Sequence, residues 1–184
     1  MNLKIYSFNK FHPIIILSKK TIKENSLDLR ITKYIPIKWQ IILINEGSFT
    51  KTLNALTGQK IKMKMYQKYN YRAKNIKRNI RCVWLETYIY TKLTFARSIW
   101  IFVDQNIINM KFIKNKPIGK ALIDNQIDIY KNIHEIYYGY CKYLEKQFIV
   151  NQLIWARKYT LYYNYTSYLT VQEFFSPYIK NLFN

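Results

Sequence analysis

Two stretches near the C-terminus alternate in the two-residue period of a β-strand. In residues 153–163, Trp155, Arg157, Tyr159, Leu161 and Tyr163 share one parity; in residues 168–176, Leu169, Val171, Glu173 and Phe175 share another. The polar residues 164–167 between them suit a hairpin turn. Upstream, Trp39-Gln40-Ile41-Ile42-Leu43-Ile44 is apolar almost all round and reads as a buried helix or a strand, stopped by Asn45-Glu46-Gly47. Ser48 has the character of a helix N-cap, Phe49, Leu53 and Leu56 follow at helical spacing, and Gly58 suits the C-terminal stop. Lys60-Ile61-Lys62-Met63-Lys64-Met65 alternates strictly and predicts a strand with one wet face. Residues 75–79 read as a basic connector. Residues 80–85 and 93–103 predict two further strands joined through residues 88–92.

Residues 116–120 (Lys-Pro-Ile-Gly-Lys) read as a loop opening a helix. Over residues 127–144, Ile129, Ile133, Ile136, Tyr137, Tyr140 and Leu144 line up as one helical stripe, so this segment is expected to be a helix. Tyrosines at that spacing are core filler rather than a base-stacking platform. His134-Glu135 opens like a zinc-protease box, but the second histidine is missing. Residues 1–35 carry a short apolar run, a polar stretch and Pro13; they form an N-terminal extension that adds an edge strand or lies loosely on a single domain spanning 36–184. The order of helices, strand, hairpin, helices, hairpin lacks regular βαβ alternation. It predicts an α+β fold, one antiparallel sheet with helices packed mainly on one side.

Three charges interrupt this pattern. Glu173 shares a strand face with Leu169, Val171 and Phe175, and Arg97 shares one with Phe95, Ile99 and Ile101. A carboxylate buried on such a face costs several kcal/mol unless it is paired, which makes Glu173 a site candidate. Arg81 sits in Ile80-Arg81-Cys82-Val83-Trp84-Leu85, where both parities are apolar.

Composition narrows the function classes. The 184 residues suit one domain that buries roughly 70% of its unfolded surface without a disulfide or metal staple. The two cysteines, Cys82 and Cys141, have no metal-ligand spacing and read as reduced, buried thiols; the two histidines argue against a His-rich metal centre. The formal charge of +20 invites a nucleic-acid reading. Yet Lys, Asn, Ile, Tyr and Phe are abundant while Gly and Pro number 4 each, and the abundant residues share A- and T-rich codons. An AT-rich genome such as an organelle's accounts for most of the lysines as a solvated face, with a subset left to draw in an anionic substrate. No nucleic-acid partner is therefore expected. No run reaches the ~20 apolar residues of a membrane span, and residues 13–17 are too short for a signal-peptide core. Action where the chain is translated is expected, in the cytoplasm or in the plastid stroma if a plastid encodes it.

Six blocks recur in order between Trp39 and Pro177: W-Q-I-I-L with G-S-F-T-K, I-R-C-V-W-L, F-A-R-S, K-P-I-G-K, W-A-R-K-Y and Q-E-F-F-S-P. In order and spacing they resemble the chorismate pyruvate-lyase family, in particular its cyanobacterial and algal-plastid branch. The resemblance implies a chorismate lyase-like fold that converts chorismate to 4-hydroxybenzoate and pyruvate in a small buried site, with no metal or organic cofactor. It assigns the ring carboxylate to Arg81 and the carboxylate facing the ring hydroxyl to Glu173. Further contacts fall on Phe49, through its backbone N–H, and on Ile118 in the K-P-I-G loop. Ala156 stands where relatives often have Gly, and Phe49 and Ile118 differ from the bacterial side chains, which bears on affinity more than on chemistry.

The residues agree with that chemistry. Chorismate carries two carboxylates, and a guanidinium matches a carboxylate with two parallel hydrogen bonds. Arg81 takes one; Arg157 or Arg97 is expected to meet the enolpyruvyl carboxylate, against the alternative of a structural ion pair. Glu173 either accepts from the C4 hydroxyl or acts as base toward C4. Two rivals are an anion-binding effector module of the same fold and an RNA- or ribosome-associated basic protein. The first lacks a helix-turn-helix domain in the short N-terminal stretch, and the second gives Glu173 no reason to lie on an apolar face. A monomer is the favoured state.

Overall fold

The computed structural model describes residues 11–18, 34–73, 76–89, 91–102, 129–163 and 167–183. In chain order they form β1 (His12–Ser18), α1 (Ile37–Leu43), α2 (Phe49–Thr57), β2 (Lys62–Ala73), β3 (Ile76–Glu86), β4 (Lys92–Phe102), β5 (Tyr130–Tyr140), α3 (Lys142–Phe148), β6 (Ile154–Tyr163) and β7 (Ser167–Phe175), closed by a 3-10 turn at Pro177–Leu182. The strands make one antiparallel sheet in the order β1-β5-β6-β7-β4-β3-β2. The fold is α+β, as the alternating segments predict.

Periodicity explains the helices. In α1, Trp39, Ile42 and Leu43 are buried while Ile37 and Ile41 face outward, so the apolar run is an amphipathic helix started by Pro36 rather than a strand. In α2, Ser48 is the extended N-cap, Phe49 and Leu53 are buried, and Gly58 closes the helix at a φ of 62°, a left-handed conformation that only glycine adopts without strain. Together α1 and α2 cover one face of the sheet, here the front, against Val83, Leu85, Ile136, Trp155 and Phe175. The short α3 covers part of the back, where Leu144 and Phe148 pack on Trp84, Phe95, Ile154, Ala156 and Phe174.

Two expectations need correction. The helix expected over 127–144 is not formed by its described residues: residues 130–140 are strand β5, and the helical stretch is Lys142–Phe148. The register with β6 steps from Ile133 opposite Tyr159 to Glu135 opposite Lys158, so His134 is an extra residue, a β-bulge. The bulge changes the phase of the strand. Lys131 and Ile133 pair with front-facing residues before it, and Ile136 and Tyr138 do so after it. A spacing of three across the bulge, from Ile133 to Ile136, therefore imitates a helical stripe, while the Ile- and Tyr-rich composition is that of a strand. The basic connector at 75–79 is mostly strand as well, because β3 begins at Ile76.

Within residues 1–35, His12–Ser18 form the edge strand β1 beside β5, the first of the two alternatives for this stretch. Gly139 permits that pairing, since a Cβ there would run into the His12 carbonyl. The C-terminal hairpin pairs Tyr163 with Ser167, and its expected turn falls on residues outside those described.

Candidate active site

Between the front of the sheet and the segment 46–50 lies a cavity of about 240 Å³. Strand register decides which side chains reach it. Arg81 of β3 lies opposite Ser98 of β4, which lies opposite Val171 of β7; Glu173 of β7 lies opposite Ala96 of β4 and Arg157 of β6. Arg81, Ser98, Ala96, Val171 and Glu173 all line the cavity, joined by Tyr159 and Leu161 from β6, Lys131 from β5, and Glu46 to Thr50 from the loop and the start of α2.

Glu173 is buried, yet its charge is compensated. Its Oε2 accepts from Arg157 Nε at 2.7 Å and its Oε1 from the Tyr159 hydroxyl at 3.0 Å. The Tyr159 phenol is held well above its ordinary pKa, first by burial and then by the charge of Glu173, so it stays a proton donor. Arg157 is fully buried, and its Nη1 donates to the carbonyls of Ile42, Leu43 and Asn45 at 2.9, 3.1 and 2.9 Å. Helix ends leave such carbonyls without intrahelical donors. Arg157 thus ties the end of α1 to the sheet and fixes the loop that roofs the cavity. The Phe49, Tyr159 and Phe175 rings surround its guanidinium, with centroids 5.3–5.6 Å away.

Arg81 is 2% exposed, and its Nη2 approaches Met63 Sδ at 3.4 Å. Burial pulls its pKa down to about 10, so it remains a cation at neutral pH. At the start of α2 the first intrahelical bond runs from the Thr52 N–H to the Ser48 carbonyl, and the Ser48 side chain makes no capping bond. First-turn amides of this kind have no intrahelical acceptor. Phe49 and Thr50, in this first turn, are among the residues that line the cavity.

The structure therefore brings Arg81, Glu173 and Phe49 to one cavity. Arg157 stands directly behind Glu173, and its ion pair and carbonyl contacts are the structural alternative for that residue. Arg97 goes elsewhere. It pairs in register with Cys82 and Gln172, one residue out of phase with Ala96 and Ser98, and is buried on the back of the sheet. Burial lowers its pKa, and the same burial raises that of the Cys82 thiol. Its parity with Phe95 was read correctly, but that parity faces the back. Ile118 and the loop 116–120 lie outside the described residues. His134 is held by Thr160, Nε2 to Oγ1 at 2.8 Å, away from the cavity.

Two cavity residues escaped the sequence reading. Tyr159 was placed on the right strand face without a role. Lys131 was hidden by the helical reading of its segment; as a strand residue it would have stood out, because its cross-strand row continues through Leu161 and Leu169.

Comparison with known proteins bears on what this cavity is for. The family described as chorismate pyruvate-lyase Rv2949c-like matches residues 43–183. A protein of Antithamnion sp. named "Uncharacterized protein ycf21" is 41% identical over 177 residues, covering 96% of this chain and 95% of its own. Proteins of the same name from Porphyra purpurea and Cyanophora paradoxa are 36% and 34% identical, covering 80% and 77% of this chain and 85% and 78% of their own. The matched span runs from the end of α1 through β7 and holds every described cavity residue, so the chain belongs to the chorismate pyruvate-lyase family of this description, beside the plastid-encoded ycf21 proteins of algae.

Proposed function

We propose that the chain is a chorismate pyruvate-lyase, releasing 4-hydroxybenzoate and pyruvate from chorismate. The observation that carries this reading is the convergence of a buried guanidinium, Arg81, and a buried, ion-paired carboxylate, Glu173, on one small cavity whose remaining wall is largely apolar. A ring with a carboxylate at one end and a hydroxyl at the other matches that pair. Arg81 grips the ring carboxylate with a charge-assisted hydrogen bond, and Glu173 accepts from the C4 hydroxyl. The reaction breaks the C3–O bond, removes the C4 hydrogen as a proton and returns one to the enolpyruvate, which becomes pyruvate. Aromatisation of the ring drives it. The protein has to hold one conformer and stabilise the departing negative charge.

Both Glu173 oxygens already accept a hydrogen bond, from Arg157 and from Tyr159. With both oxygens engaged in fixed hydrogen bonds, Glu173 keeps a lone pair to accept from the C4 hydroxyl, and this favours the positioning role over proton abstraction. The ycf21 relatives in algal plastids support the plastid stroma as the place of action.

The test is incubation of the purified chain with chorismate, following 4-hydroxybenzoate by its absorbance and pyruvate by a coupled assay. Equimolar appearance of both is expected. Saturable binding of chorismate without either product would make the chain an anion-binding module instead.

A further inference from the structure

A dianionic substrate needs two cationic seats, and the proposed reaction occupies only one of them with Arg81. Arg157 is committed to Glu173 and to three carbonyls, and Arg97 lies on the other face. Among the described residues that line the cavity, the basic ones are Arg81 and Lys131. They lie on opposite sides of Glu173 across the sheet, Arg81 in the row of Val171 and Lys131 in the row of Leu169. Its strand β7 is central, with Arg81 two strands away on β3 and Lys131 two strands away on β5 in the other direction. We propose that Lys131 binds the enolpyruvyl carboxylate of chorismate, holding the leaving group across the cavity from the ring carboxylate. The inference rests on the chorismate reading above.

The surroundings of Lys131 suit that task. Its Nζ donates to the Asn45 carbonyl at 2.9 Å and stands 4.3 Å from the centroid of the Tyr159 ring. An ammonium has three donors, so capacity remains for a carboxylate. The Asn45 carbonyl is shared with Arg157, which puts two cations on one acceptor. The charged and titratable groups around Lys131 are Arg157 and Tyr159 from β6, Glu173 from β7 and Glu46 from the roof loop. Burial first, and Arg157 second, bring its pKa down to about 7 against the opposing pull of Glu173 and Glu46. An incoming carboxylate relieves that deficit and restores the charged form. The enolpyruvyl group leaves with its carboxylate attached, so one contact serves both binding and departure.

The product separates this role from a structural one, because 4-hydroxybenzoate keeps the ring carboxylate and lacks the enolpyruvyl one. In the full-length Lys131→Met variant, KM for chorismate is expected to rise about tenfold or more, while the Kd for 4-hydroxybenzoate, read by tryptophan fluorescence, stays within about twofold. Lys131→Arg should recover most of the lost chorismate affinity. Lys131→Gln, which keeps a donor for Asn45 but no charge, should behave as Lys131→Met does and guards against a folding defect. Equal weakening of both ligands, or an unchanged KM, overturns the inference while wild-type turnover stands. Wild-type protein that neither turns over nor binds chorismate overturns the underlying reading, and this inference with it.

Discussion

Both faces of the sheet bury arginine, and Arg157 on the front and Arg97 on the back are used differently. On the front, Arg157 pairs with Glu173 and reaches up to the carbonyls that end α1, so one side chain sets both an acid and the roof above it. On the back, Arg97 is buried near the Cys82 thiol, which itself packs against the cluster under α3. Both arginines interrupt an apolar strand pattern, and the pattern cannot rank them. What distinguishes them is the roof: on the front, the segment 46–50 lies over a cavity beside the Arg157–Glu173 pair, and Arg97 is not among the residues that line it.

The largest effect expected from this contrast is at Arg81. Arg81→Ala removes the ring-carboxylate partner and should lower kcat/KM for chorismate by roughly 100-fold or more, measured as pyruvate release. Wild-type kinetics in that variant would break the front-face assignment. Arg157→Met leaves Glu173 as an uncompensated buried charge and should cost about 3–5 kcal/mol of stability. For a chain of this size that is a fall in Tm of about 10 °C, to be read by circular dichroism.

Glu173→Gln tests the role of the acid. A positioning hydrogen bond leaves activity within about tenfold of wild type, whereas a general base would be worth about 100-fold or more. A smaller effect is expected from pH. Lys131 is protonated below its pKa of about 7, so kcat/KM for chorismate should be highest on the acid side of that value and fall as pH rises through it. Lys131→Arg should flatten that limb of the profile. Arg97→Met is the counterweight. It should disturb folding stability but leave the KM of the folded fraction within about twofold, and a tenfold change there would erase the distinction between the faces.

Most of the fold was legible because strands buried on one face write a strict alternation into the chain. The β3–β4 and β6–β7 hairpins and α2 follow from parity and capping residues, and Glu173 and Arg81 stood out as charges on apolar positions. Face identity was not legible. Period two separates a strand into two sets of residues, but whether Arg97 or Ala96 looks at the cavity depends on where the helices pack. The function of Arg157 was equally hidden, since its acceptors are carbonyls of residues more than 100 positions earlier in the chain. Strand β5 was misread for a local reason: one inserted residue breaks the alternation on which strand recognition depends.

That inserted residue works as a frameshift in space. Upstream of His134 the strand presents one set of side chains to the front, and downstream it presents the opposite set. Deleting this single histidine would remove the bulge and leave Lys131 and Ile133 on the front, opposite Leu161 and Tyr159, in unbroken alternation with Ile136 and Tyr138. Pairing the histidine in regular register would instead turn Lys131 and Ile133 toward the far side of the sheet, so the bulge lets a strand with one residue to spare keep its lysine at the cavity.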